Sequence, residues 1–247
     1  MKKSISILVP TRNRPQNVKE LCESIFTTAD DPNSVEVLLY FDIDDSHIPE
    51  CLEYFKELST RYTNPIKTII GPRLILSDYP NKLISISSAN IFLNSGDDIR
   101  YKTQGWDTSI IKAFDDYPDK LVLVYPDDGF FGPQFAPHIA LHRNWVETLG
   151  YFLPPIFDYG YSDSWMFHVS IMIDRKVFLP VLLEHMHHSR GKSELDNTYK
   201  EKIDKQNFCN ELYSATEYLR DQDIKKLQQA IKSFEQKEKN SCYCKAD

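Results

Sequence analysis

The chain has 247 residues, 41% of them hydrophobic and 26% charged, a composition that supports a packed core and excludes a disordered or fibrous chain. Its formal net charge of −7 argues against general binding to nucleic acid or an anionic membrane, while leaving room for a local basic site that takes a phosphate. Five cysteines, at 22, 51, 209, 242 and 244, form no even framework, and Cys242 and Cys244 stand too close for the usual zinc spacing. Free thiols in a reducing compartment are the expectation.

The opening MKKSISILVPTRNRP carries an apolar run only from Ile5 to Val9 before Pro10, which is too short for a secretory leader. No stretch is long enough to span a bilayer. A cytoplasmic protein is expected. Ser4 to Val9 reads as a strand buried on both faces. TRNRP is a loop, and Pro15 suits the first position of a helix over 15–29 with Val18, Leu21, Cys22, Ile25 and Phe26 on its inner face. Val35 to Phe41 is a second buried strand that runs into Asp42, Asp44 and Asp45. Residues 49–62 form a helix with Leu52, Phe55 and Leu58 inward, KTIIG a third strand, 81–88 a helix, and 89–93 a strand leading into Gly96-Asp97-Asp98.

Strands alternating with helices argue for a mainly parallel open sheet with helices on both faces. In such sheets ligands bind beyond the carboxyl ends of the strands. The loops holding Thr11, Arg12 and Asn13, then Asp42, Asp44 and Asp45, then Asp97 and Asp98, therefore converge on one rim. Further on, the pattern predicts a helix over 105–117, strands at 121–125 and 138–142, and a short helix at 144–150. A helix over 163–174 follows, then a strand from Val177 into the histidine cluster, and a charged terminal helix over 216–239.

Four clusters have the residue types for chemistry. Two adjacent carboxylates resist desolvation unless a cation joins them, so Asp97-Asp98 reads as a divalent-metal site or as a capped turn. Glu184-His185-Met186-His187-His188 adds imidazole, which favours Mn2+ over Mg2+ if a metal is bound; the alternative is a solvated strand end. Strand alternation puts His185 and His187 on one face. Asp163, between aromatic residues, is a candidate general base or the cap of the following helix, with Asp158 as its local rival. Arg12, Arg14 and Lys82 are the cations nearest the rim; Arg14 is assigned mainly to the surface.

Taken in order, ISILVPTRNRPQNVKELCESI, VEVLLYFDIDDS and SGDDIRYKTQGWD resemble the GT-A fold nucleotide-diphospho-sugar transferases, the family 2-like glycosyltransferases in particular. The resemblance covers roughly residues 4–190. It implies an α/β GT-A catalytic domain over 1–205; the helical extension over 206–247 could pack, dock a membrane or form a homo-oligomer, and its mixed charges favour packing or self-association. The resemblance implies a metal-dependent transferase that moves a sugar from a nucleotide donor, UDP being the commonest, to a hydroxyl of a glycan or other acceptor, with inversion. Pro10, Thr11 and Arg12 would lie along the nucleotide, Asp42 by the base and Asp44 near base or ribose; Asn81 would match the family's nucleotide-sugar-site Asn before the metal strand, and Lys82 would approach the diphosphate. Asp98 and His187 would hold the metal, with His185 as the alternate, and Asp97 would touch sugar or ribose. Asp163 would be the base, although Ser162 stands where the family has a first acid. Gly96 likewise replaces the first acid of Asp-x-Asp, which keeps open the alternative of an inactive domain that binds a glycan or partner.

Overall fold

A computed structural model describes residues 3–186 and 207–243, so the expected boundary at 205 and His187 both lie outside the described residues. Eight strands form one sheet in the order β3-β2-β1-β4-β7-β6-β8-β5. The first part is the expected alternation: β1 (Ile5–Thr11), α1 (Pro15–Thr28), β2 (Val35–Asp42), α2 (Ile48–Arg61), β3 (Ile66–Gly71), α3 (Asp78–Ile84) and β4 (Ile91–Asn94). β1 pairs parallel with β2 and β4, and β2 with β3. The apolar runs are continuous because both faces are covered: Ile5, Ile7 and Val9 join α1 and α2 in one core, while Leu8, Leu38 and Tyr40 join α3 in another.

Then the pattern changes. β5 (Ile99–Tyr101), α4 (Trp106–Ala113), β6 (Leu123–Asp127), β7 (Ala140–His142), α5 (Arg143–Leu149), α6 (Ser162–Met172) and β8 (Lys176–His185) follow. β7 runs antiparallel to both β4 and β6, β8 runs parallel to β6, and β5 runs antiparallel to β8. β5 is a strand that the hydrophobic pattern did not reveal. It has three residues, and no period can be read in so few.

Local boundaries differ in instructive ways. The helix expected over 81–88 is α3, which starts at Asp78 and stops at Ile84. Pro80 is tolerated in its first turn, where backbone N–H groups have no helical partner. Leu52 of α2, expected inward, is 37% exposed, and Cys51 takes the core position. Trp106 and Asp107 of the TQGWD stretch are structural. Asp107 accepts the backbone N–H groups of Asp30 and Asp31, and Trp106 Nε1 donates to the Ile25 carbonyl, so α4 is tied to the end of α1.

The extension comprises α7 (207–215) and α8 (Glu217–Tyr243). α8 packs on α5 and α6, and Cys209, Ile224 and Leu227 are buried in the second core. Its polar contacts are buried too: Asp223 accepts from Trp165 Nε1 at 3.1 Å and from the Tyr151 hydroxyl, and the Arg220 guanidinium lies 3.8 Å from the Tyr213 ring centroid. Among the described residues no helix is long and apolar enough to cross a membrane.

Candidate active site

A cleft of about 330 Å³ opens at the carboxyl edge of β1, β2 and β4, where the parallel topology places it. Pro10, Thr11, Arg12, Asp42, Asp97 and Asp98 all line it, as does Asp163 from the first turn of α6. The acid pair leaves β4 through Ser95 and Gly96. A Cβ on Gly96 would stand 2.4 Å from Asp98 Oδ1, so a glycine here is what lets the Asp98 carboxylate fold back.

Asp97 is 3% exposed and is held by Thr11 Oγ1 at 2.8 Å and Arg14 Nη1 at 2.9 Å. Burial pushes its carboxyl up to about 6; Arg14 opposes that rise and the neighbouring Asp98 adds to it. Asp98 meets β8. The β5–β8 ladder sets Ile99 opposite His185, and Met186 donates its N–H to the Asp98 carbonyl at 2.9 Å. His185 Nε2 then lies 3.3 Å from Asp98 Oδ2. The unexpected strand β5 is therefore what joins the acid pair to the histidine cluster, and it selects His185 among the described residues.

The other sequence candidates divide. Arg12 is committed to acids: its Nη1 is 2.8 Å from Asp42 Oδ2, and both terminal nitrogens bond the Asp44 carboxylate, at 2.5 and 2.7 Å. The Tyr79 hydroxyl donates to the other Asp42 oxygen at 2.8 Å. Asp44 is exposed and does not line the cleft; it clamps Arg12 from outside. Asn81 and Lys82 do not line it either. The Asn81 amide donates to the Ser77 and Leu153 carbonyls and accepts from the N–H groups of Phe152 and Leu153. Its hydrogen-bonding capacity is spent on fastening the 152–153 loop to α3. Lys82 is exposed on the same helix.

Arg14 and Arg73 supply the cations in the cleft that Lys82 does not. Arg14, expected mainly at the surface, instead lines the cleft and bonds the buried Asp97. Arg73 follows β3 at the same edge as the other strand ends, so the edge rule that located Thr11 and Asp42 would have located it too. The helix cap is Tyr161, in a left-handed conformation with φ +58°, not Asp163; Asp163 lies in the first turn, its Oδ1 accepting from the Ser164 N–H at 2.8 Å. The positive end of the helix favours a carboxylate there.

No family model and no curated protein sequence matches the chain. Solved structures do. The mannosyltransferase PcManGT from Pyrobaculum calidifontis, solved with GDP-Man and Mn2+, is similar with a TM-score of 0.58 and 14% identity, over 93% of this chain and 74% of that one. S. aureus TarS 1-349 in complex with UDP-GlcNAc is similar with a TM-score of 0.59 and 13% identity, over 94% of this chain and 73% of that one. The fold is that of the nucleotide-sugar glycosyltransferases. At this identity the glycosyltransferase fold is what is shared; the chemistry has to be argued from the cleft.

Proposed function

We propose that the chain transfers a sugar from a nucleoside-diphosphate sugar, UDP-linked by preference, to a hydroxyl of a glycan or other acceptor, with inversion at the anomeric carbon. One observation carries this reading. A single cleft on a glycosyltransferase fold combines three guanidinium groups, a buried acid pair and a further carboxylate at a helix start. Arg14 and Arg73 face the anionic diphosphate, and the clamped Arg12–Asp42 pair, with Tyr79 behind it, forms the end that takes ribose and base. Asp163 accepts the proton of the attacking hydroxyl. The new bond forms at the anomeric carbon as the old one to phosphate breaks, and the electron pair leaves on the nucleoside diphosphate.

The residues present suit a divalent cation. Asp98 and His185 bring a carboxylate oxygen and an imidazole nitrogen to within 3.3 Å, a donor pair that favours Mn2+ over Mg2+, and burial, with Asp98 adjacent, raises the Asp97 carboxyl beside it. Among the described residues no three His, Cys, Asp or Glu side chains converge on one point, so diphosphate oxygens would complete the shell. Bound there, the cation would stabilise charge on the departing diphosphate.

The test is thermal unfolding with UDP, GDP, dTDP and their sugar derivatives, each with and without Mn2+. A ligand at a hundred times its Kd should add about 2.7 kcal/mol of stability. A shift that needs both metal and one nucleotide supports the reading and names the donor class. No shift with any pair would overturn it.

A further inference from the structure

His138 is a cleft residue whose chemistry the proposed reaction leaves unused. It precedes β7, and because β7 runs antiparallel to β4 its leading loop, not its end, arrives at the carboxyl edge. The ring lines the cleft and is 7% exposed, yet neither Nδ1 nor Nε2 has a hydrogen-bond partner. The Asn94 carbonyl acts on it from outside bonding geometry. Buried polar atoms are nearly always paired, so two orphaned nitrogens on one ring in a cleft signal a missing partner.

The partner's chemistry can be narrowed. The buried ring packs edge-on against His185, 5.3 Å between centroids, with no carboxylate hydrogen-bonded to it, and an imidazole is mostly neutral at pH 7. A neutral imidazole presents one N–H donor and one lone pair. Phosphate oxygens only accept, and on the reading above the guanidinium groups of Arg14 and Arg73 would serve them. His138 does not join Asp98 and His185 in a three-ligand metal cluster, since none forms among the described residues. A hydroxyl both donates and accepts, which matches a neutral imidazole. The place also fits, because the ring stands beside His185 and near Asp98, where the phosphate that carries the sugar would lie.

We propose that His138 hydrogen-bonds a hydroxyl of the sugar carried by the nucleotide donor, so that it reads the sugar and not the nucleotide. This rests on the nucleotide-sugar reading above, and the wild-type protein tests that reading by itself. Affinities are measured by calorimetry for UDP, GDP, UDP-GlcNAc and GDP-mannose with Mn2+, on wild type, His138→Leu and His138→Gln. The expected result is that His138→Leu binds the free nucleoside diphosphate within about twofold of wild type but loses about tenfold or more toward the sugar nucleotide, with His138→Gln in between.

Equal loss for both ligands would assign His138 to the diphosphate and overturn the proposal. Unchanged sugar-nucleotide affinity with a raised KM for acceptor would place the contact on the acceptor and overturn it as well. Wild type that binds no nucleotide sugar would fail the underlying reading, a distinct result that removes the proposal with it. Should His138→Leu not fold, the ring nitrogens of labelled wild-type histidine answer by NMR. His138 resonances that move with the sugar nucleotide and not with the free diphosphate support the contact, and identical spectra in both complexes overturn it.

Discussion

The two edges of the parallel strands each bury acid, under opposite conditions. At the amino edge Glu36 is fully buried. Its carboxylate accepts from Ser6 Oγ at 2.6 Å, from the Ser88 N–H at 2.8 Å and Oγ at 3.0 Å, and it pairs with Lys67 Nζ at 2.8 Å. Burial alone would push the Glu36 carboxyl up, but Lys67, Ser6 and Ser88 together hold it below the usual range. At the carboxyl edge Asp97 has Thr11 and Arg14, beside a second acid, and its carboxyl is raised. Glu36 accepts three hydrogen bonds and a lysine with no second acid beside it, whereas Asp97 accepts one bond on each oxygen and has Asp98 as a neighbour. Adjacent acids buried in a cleft are set up for a cationic or metal-bound ligand.

Asp98→Ala breaks the comparison most sharply. Sugar transfer is expected to fall about a thousandfold or more while the unliganded protein keeps its unfolding midpoint. Rates within tenfold of wild type would remove Asp98 from the reaction. At the opposite edge Glu36→Ala should cost about 3 kcal/mol in a denaturant titration, because it strands Lys67 and two serines, and should leave kcat of the folded protein unchanged. A cost below about 1 kcal/mol would show the amino-edge network to be worth no more than a surface pair.

Changing pH sharpens the contrast. Glu36 has a lowered folded-state value, so its contribution is present above the unfolded value of 4.5 and is lost as pH falls through the lower folded one. Asp97 has the opposite sign. The unfolded chain releases that proton near 3.8 and the folded protein near 6, so stability declines as pH rises between them. Asp97→Asn should therefore stabilise the unliganded protein above pH 6 by up to about 3 kcal/mol and make no difference well below pH 4, read from urea titrations across that range. A stability gap that does not change with pH would contradict this. The smallest effect is expected at Lys82→Ala, with kcat/KM within about twofold of wild type, since the side chain lies outside the cleft. A tenfold loss would return it to the diphosphate.

Much of this was legible in local pattern. Continuous apolar runs marked β1 and β2, helical spacing marked α1, and the rule that loops follow strands to one edge brought together Thr11, Arg12, Asp42, Asp97 and Asp98, along with Asp44, which lies outside the cleft. Asn81 and Lys82 were placed by motif position, and that position carries no information about which way α3 turns them. In the structure Asn81 binds a loop about 70 residues away, as its bonds to Phe152 and Leu153, with sequence separations of 71 and 72, show.

The sequence by itself determined the parallel half of the sheet, the edge where the cleft lies and the residue types that line it, because each depends on periods of two or 3.6 within one segment. Only the tertiary structure decided the partners across the cleft. Arg14 meets Asp97 across 83 positions and His185 meets Asp98 across 87, through a three-residue strand too short to show a period. The direction of β7, which brings His138 to the cleft, was likewise set by pairing with β4 and β6. Strand direction and register are properties of pairs of segments, and a single segment read along the chain does not contain them.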